Sequence, residues 1–470
     1  MRVFILLSCL LSLNTAWAND FEKCKGEELF LELKSSLCTT VKSPLTYQGS
    51  SAEEIELFVR KFPSLKTRDG SIWLIAGGPG ESGASFYSFI DFYRASFPNF
   101  DIFIPDHRGT GASSTICPEE SIYSLGGKYL VGEEWGTCFS HMYSKLSYVK
   151  SFSITNAAKD LRLLINNMSG TGKRYVYGVS YGTQLVLRLT QLDKVNLDGV
   201  ILDSLVPMQD DRDFDLSKRS QVVDMVGQAL LNKCQGTFKC SGKNADEMKR
   251  QLSALIKKSK SIKDFSIKLP DTSLSTVLGA MLDIPHVRND IPDIISSLYK
   301  GDSTDLENAF KAVNLYYEKF DRGYANFGSS IPLVQVITAS ENNLRPEITK
   351  ADVAKEAEKL LFTSPLPSLI AENSMPTYKK DNFYSKLPNS LPKTMILHGT
   401  LDPKTHHDAA KKYASKLAEA GKVSFIDVID SPHFVAMNAP ICFKIYVNKF
   451  IKGGSIKQQT CRDENVLVKF

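Results

Sequence analysis

Three short segments carry residue types that together could cleave an acyl bond. Gly178-Val179-Ser180-Tyr181-Gly182 follows the β-type run Arg174-Tyr175-Val176-Tyr177 and precedes a helix-like stretch, Thr183 to Leu189. A serine at the apex of so tight a turn needs small residues two positions to either side. Its hydroxyl is then exposed, with the backbone N–H of Tyr181 beside it. That hydroxyl is a poor nucleophile at neutral pH; it needs a base to take its proton and a carboxylate to orient the base. Asp402 follows the strand-like Thr394-Met395-Ile396-Leu397 in His398-Gly399-Thr400-Leu401-Asp402-Pro403, and His433 follows the run 423–428 in Asp430-Ser431-Pro432-His433-Phe434. Serine, acid and histidine in that order, each on a loop after a strand, predict a catalytic set of Ser180, Asp402 and His433. Asp203, after Val200-Ile201-Leu202, is the alternate acid; His406 and His407 read as surface residues at a helix start.

Acyl transfer also needs donors for the oxyanion. Gly77-Gly78-Pro79-Gly80 follows the apolar run Ser71 to Ala76 and lets backbone N–H groups approach a substrate oxygen. The expected oxyanion hole is therefore the N–H groups of Gly78 and Tyr181. Asp106-His107-Arg108-Gly109-Thr110-Gly111 follows the next run, Asp101 to Pro105. Its polar side chains are expected to brace the glycine loop rather than to act on substrate.

These loops must be held by a scaffold. Strand-like runs at 71–76, 101–105, 174–177, 200–202, 394–397 and 423–428 alternate with helical patterns at 154–168, 183–189 and 406–420. Apolar strands alternating with helices argue for an α/β fold whose mostly parallel sheet is covered on both faces. Between about 207 and 370 strand-like runs become scarce and Lys-rich amphipathic helices, as in 244–260 and 350–361, dominate. That stretch reads as a helical cap inserted into the core. The expected organisation is a signal peptide at 1–18, core at 19–206, cap at 207–370 and the rest of the core at 371–470.

The chain of 470 residues is 43% hydrophobic and 23% charged, ordinary for a globular protein. Its net charge of +5 is scattered, which argues against a nucleic-acid footprint. Arg2, the apolar stretch Val3–Leu13 and Ala16-Trp17-Ala18 form an export signal with a cleavage site before Asn19, too short to span a bilayer. Leu6-Leu7-Ser8-Cys9 lies too near the start for a lipoprotein signal. The protein is therefore expected to be secreted or periplasmic. Removing the signal removes Cys9 and leaves eight cysteines, which favour disulfides in an exported chain. Their local pairing in sequence predicts bridges 24–38, 117–138, 234–240 and 442–461. With no C-x-x-C and no clustering of the seven histidines with the cysteines, no metal site is expected, and no cofactor. Asn167-Met168-Ser169 is the one glycosylation sequon.

Taken together, Gly77-Gly78-Pro79-Gly80, Asp106 to Gly111, Gly178 to Thr183 and His398 to Pro403 resemble the proline iminopeptidase and tripeptidyl aminopeptidase family of serine exopeptidases, nearest its secreted tripeptidyl branch. The similarity runs from about residue 40 to 465 and includes Thr155-Asn156-Ala157-Ala158-Lys159-Asp160-Leu161. It implies an α/β-hydrolase core with a helical cap, and cleavage of residues or short peptides from free N-termini. Ala76 stands where the family often has His before the glycine loop, and Pro432 and Phe434 flank His433 where glycines are common. Ile337-Thr338-Ala339-Ser340-Glu341-Asn342 is similar to a cap segment of the family, which implies Glu341 as the anchor for the substrate's amine. The rival readings are a secreted carboxylesterase or lipase on the same fold, and a binding protein without activity.

Overall fold

A computed structural model describes residues 21–25, 30–49, 52–121, 123–234, 239–240, 242–261, 273–320, 322–456 and 459–470. The expected signal peptide lies outside them. Among the described residues ten strands form one sheet: β1 (Glu22–Lys23), β2 (Leu37–Pro44), β3 (Glu54–Phe62), β4 (Gly70–Ile75), β5 (Phe100–Pro105), β6 (Lys173–Val179), β7 (Gly199–Asp203), β8 (Leu391–Gly399), β9 (Gly421–Ile429) and β10 (Thr460–Arg462). Their spatial order is β1-β2-β3-β5-β4-β6-β7-β8-β9-β10. The run from β5 to β10 is parallel, and β1, β2 and β3 add an antiparallel edge. This is the α/β-hydrolase fold.

The central strands are mostly apolar because both faces are covered; β4, β5 and β7 are buried at every position. One face packs on helices Ile154–Met168 and Tyr181–Thr190, through Leu161, Ile165, Leu185 and Val186. The other packs on Ile90–Ser96 and Pro440–Ile451, where Tyr93, Tyr177 and Phe443 meet edge to face or tilted. Helix Ile154–Met168 starts where Ser153 Oγ accepts the N–H of Asn156, an N-cap that satisfies one of the free donors of the first turn.

Between β7 and β8 the described residues form helices and no strand of the sheet. They have their own core, in which Val226, Leu230, Leu252, Leu278 and Ile294 are buried. The four disulfides pair Cys24–Cys38, Cys117–Cys138, Cys234–Cys240 and Cys442–Cys461, as the local spacing predicts. Among the described residues no helix is long and apolar enough to cross a membrane.

Candidate active site

Ser180 sits between β6 and helix Tyr181–Thr190 with φ 54° and ψ −126°, a conformation that side chains rarely adopt. The turn is held by close packing. A Cβ on Gly178 would come within 2.5 Å of the Gly182 carbonyl oxygen, and one on Gly182 within 2.4 Å of that of Ile75. Only glycine fits at either place, so the sequence forces the strained serine out of the sheet edge. The Ser180 N–H donates to the Asp203 carbonyl at 3.0 Å, tying the turn to β7.

Asp402 and His433 arrive on loops after β8 and β9. A Cβ on Gly399 would strike the Ser431 carbonyl oxygen at 2.2 Å, so glycine there lets the two loops touch. They are then joined by Leu401 N–H to the Ser431 carbonyl, 3.0 Å, and Asp430 N–H to Thr400 Oγ1, 2.8 Å. Nδ1 of His433 lies 2.8 Å from Oδ2 of the fully buried Asp402. An ionised carboxylate can only accept, so Nδ1 carries the proton and Nε2 is left as the basic nitrogen. Asp402 also accepts from the N–H groups of Lys404 and Thr405, and from Thr405 Oγ1, each at 2.8 Å. Burial works against its ionisation, but the facing His433 and these donors outweigh it and hold the carboxyl below its usual range.

His398 lies 3.7 Å from the same carboxylate but is not a second base. Its Nε2 meets the Thr405 carbonyl at 2.7 Å and its Nδ1 accepts from the Leu205 N–H at 3.1 Å, so both nitrogens are spoken for. Burial lowers it to about 4, keeping it neutral. Asp203, the alternate acid, is engaged elsewhere. It accepts from Tyr177, Ser204, and the N–H groups of Val435 and Ala436, all at 2.8–2.9 Å. It thereby fastens the short helix that follows His433.

Gly78 takes φ 105°, and a Cβ there would meet the Glu81 and Gly80 nitrogens at 2.4 Å. Among the described residues neither the Gly78 nor the Tyr181 N–H is taken by a hydrogen bond, and both residues line a recess at Ser180. Asp106 braces this loop. Its oxygens accept from Ser82 Oγ, 2.9 Å, and the N–H groups of Gly83, 2.7 Å, and Ala112, 2.8 Å, with Asn326 at 3.0 Å. Arg108 holds Asp160 through two bonds, 2.6 and 2.8 Å, and caps the carbonyls of Leu45 and Ser151. His107 is buried beside Tyr181, away from the cleft.

Ser180 and His433 line one cleft of about 390 Å³. Its floor is the carboxyl edge of the sheet; its far wall comes from the helices between β7 and β8, with Tyr316, Tyr317, Phe320 and Leu366. A smaller recess of about 50 Å³, reaching Gln184 and Asn342, adjoins it at Ser180.

Glu341 is not brought to this cleft. It is 2% exposed and lines neither recess. Its Oε2 accepts from Arg188 and Gln209, both at 2.7 Å, and its Oε1 from Tyr378 at 2.9 Å. The expectation that it holds the substrate's amine is corrected by this geometry: its charge is already matched by buried Arg188. Side chains that sequence reasoning passed over do face the cleft: Glu81, Asp283, Arg219 and Lys404. Lys404 is bonded to Asp283, while the Arg219 guanidinium makes no hydrogen bond or ion pair among the described residues. No group of three or more His, Cys, Asp or Glu side chains among the described residues is placed to hold a metal.

The family of the alpha/beta hydrolase fold matches residues 71–235, which include Ser180 but neither Asp402 nor His433. A curated protein named as a hydrolase, YuaR of Escherichia coli (strain K12), is 23% identical over 188 residues, 37% of this chain. The chain spans 37% of that relative's length. Solved structures with a similar trace include an esterase from Thermogutta terrifontis, at 13% identity and TM-score 0.39 over 88% of this chain and 98% of that one. A carboxyl esterase from Bacillus coagulans is 10% identical, TM-score 0.40, over 88% and 98%. A Vigna radiata epoxide hydrolase is 14% identical, TM-score 0.38, over 88% and 99%. Fold and family match together support a hydrolase.

Proposed function

We propose that this protein is an exported serine aminopeptidase that releases residues or short peptides from free N-termini through an acyl-enzyme. Ser180 Oγ attacks the scissile carbonyl while His433 Nε2 takes its proton. The imidazolium that forms is stabilised by Asp402, and the oxyanion is held by the N–H groups of Gly78 and Tyr181. His433 then donates the proton to the leaving amine, and water repeats the sequence to free the acyl group. This scheme uses only the chain's own residues.

The observation that carries the exopeptidase part is the walled cleft. About 390 Å³ between the sheet edge and the helices suits one end of a peptide, not a chain threaded through in both directions. Ser180→Ala is expected to cut turnover of fluorogenic N-terminal peptides to below about one part in a thousand with the fold intact. N-acetylated peptides should be poor substrates for the wild type. Efficient cleavage of acetylated peptides would replace this reading with an endopeptidase or esterase.

A carboxylesterase is the second reading, favoured by the aromatic and aliphatic wall of Phe320, Phe327, Val334 and Leu366. It requires that p-nitrophenyl acyl esters be turned over with a kcat/KM far above that of any free peptide amide. The four disulfides agree with export.

A further inference from the structure

Beside the nucleophile stands a carboxylate that the triad does not use. Glu81 lines the larger recess together with Ser180 and His433 and is half-buried. A Cβ placed on Gly77 would lie 3.0 Å from Glu81 Oε2 and 3.2 Å from Ser180 Cβ, so carboxylate and nucleophile face each other across one glycine. Among the described residues Glu81 has no ion-pair partner. Lys404, whose charge acts on it, is bonded to Asp283. The backbone beneath is fixed from both sides: Glu81 pairs with Ser329, Ser82 N–H donates to the Gly328 carbonyl at 3.1 Å, and Ser330 N–H to that of Gly80 at 2.9 Å.

We propose that Glu81 holds the α-ammonium of the residue whose carbonyl Ser180 attacks, and that the protein therefore removes single N-terminal residues. The inference rests on the aminopeptidase reading and supplies the anchor that Glu341 does not. Reach decides the number of residues. In the acyl-enzyme only the carbonyl carbon and the α-carbon separate Ser180 Oγ from the α-nitrogen. The ammonium of a tripeptide would stand two residues further, roughly 7 Å along an extended chain. A carboxylate one glycine away from Ser180 meets the first position and not the second. Burial pushes the Glu81 carboxyl up, against Ser85, Lys404 and His433, which favour its charge. An ammonium seated beside it would offset that burial penalty.

The test compares the aminoacyl coumarin amide that the wild type turns over best with its des-amino counterpart, identical except for the amine. Glu81→Gln should lower the ratio of their kcat/KM values by about ten- to a hundredfold, the worth of a charge-assisted hydrogen bond. Glu81→Asp should keep part of the preference. Mass spectrometry of a wild-type digest of a longer peptide should show single residues leaving in turn. An unchanged ratio in Glu81→Gln, or release of intact tripeptides, overturns the role of Glu81 and leaves the aminopeptidase reading standing. A wild type that prefers the des-amino amide removes both. Should the variants not fold, wild-type ester hydrolysis still decides: the amino acid amide must inhibit more strongly than its des-amino analogue, and equal inhibition overturns the proposal.

Discussion

At the scale of single residues, two buried aspartates with similar strand-end positions divide the work. Asp402 faces His433 Nδ1 at 2.8 Å, whereas Asp203 spends its oxygens on Tyr177, Ser204 and the turn after His433. Asp402→Asn should lower kcat by roughly 10³–10⁴, the loss known for the corresponding change in a serine protease, because an amide favours the wrong imidazole tautomer. Asp203→Asn should mainly lower stability, by leaving a backbone N–H facing an NH₂. Steady-state kinetics and a denaturation midpoint on both variants check this; a larger kcat loss in Asp203→Asn would exchange the roles. That Ser180, Asp402 and His433 would meet at one edge of the sheet was legible in the sequence because their loops follow strong apolar strands in the right order. Glu341 was misread because the residue that neutralises it, Arg188, is 153 positions away, and nothing in either local segment announces the pair. Glu81 was passed over because its loop was read for its backbone donors alone.

At the scale of elements, the parallel strands and the helix Ile154–Met168 were legible because full burial writes continuous apolar runs and a helical face writes a 3.6-residue period. The antiparallel edge, β2 and β3, was not, since half-exposed edge strands carry mixed patterns such as Thr39, Thr40 and Lys42 among apolar residues. The bracing of the glycine loop was foreseen in kind, but its agent is one side chain. Asp106 links Ser82 and Gly83 on that loop to Ala112 on its own and to Asn326 from beyond β7. Asp106→Asn would turn an NH₂ toward donors on one side and should cost about 2–4 kcal/mol. Because the same bonds hold Gly78 in position, kcat should fall with stability. Urea denaturation and kinetics at a temperature where the variant is folded check this; full activity in a destabilised variant would mean that the loop does not need the brace.

At the scale of the whole molecule, stability should depend on pH through histidines that the fold keeps neutral. His107 is buried, its Nδ1 lies 3.1 Å from the Arg108 carbonyl, and its Nε2 has no partner among the described residues. Burial first, with the neighbouring Arg108 guanidinium adding to it, lowers His107 to about 4. Burial lowers His398 to about 4 as well. The unfolded chain takes up each of these protons near pH 6.5. From about 6.5 down to about 4 the unfolded state therefore binds more protons than the folded one, and stability falls as pH falls; below about 4 both states are protonated and the term is constant. Carboxyls raised by burial, such as Glu120 at about 7, act in the opposite sense, costing stability as pH rises. A comparison of wild type with His107→Gln cancels every group except the one removed. The variant should show a shallower loss of stability on acidification, by at most about 1.4 kcal/mol per pH unit near pH 5, the slope of one proton. Urea midpoints converted to unfolding free energies between pH 4.5 and 7 measure it. Parallel curves would mean that His107 already titrates near its ordinary value, and so that the loop beneath Tyr181 admits water.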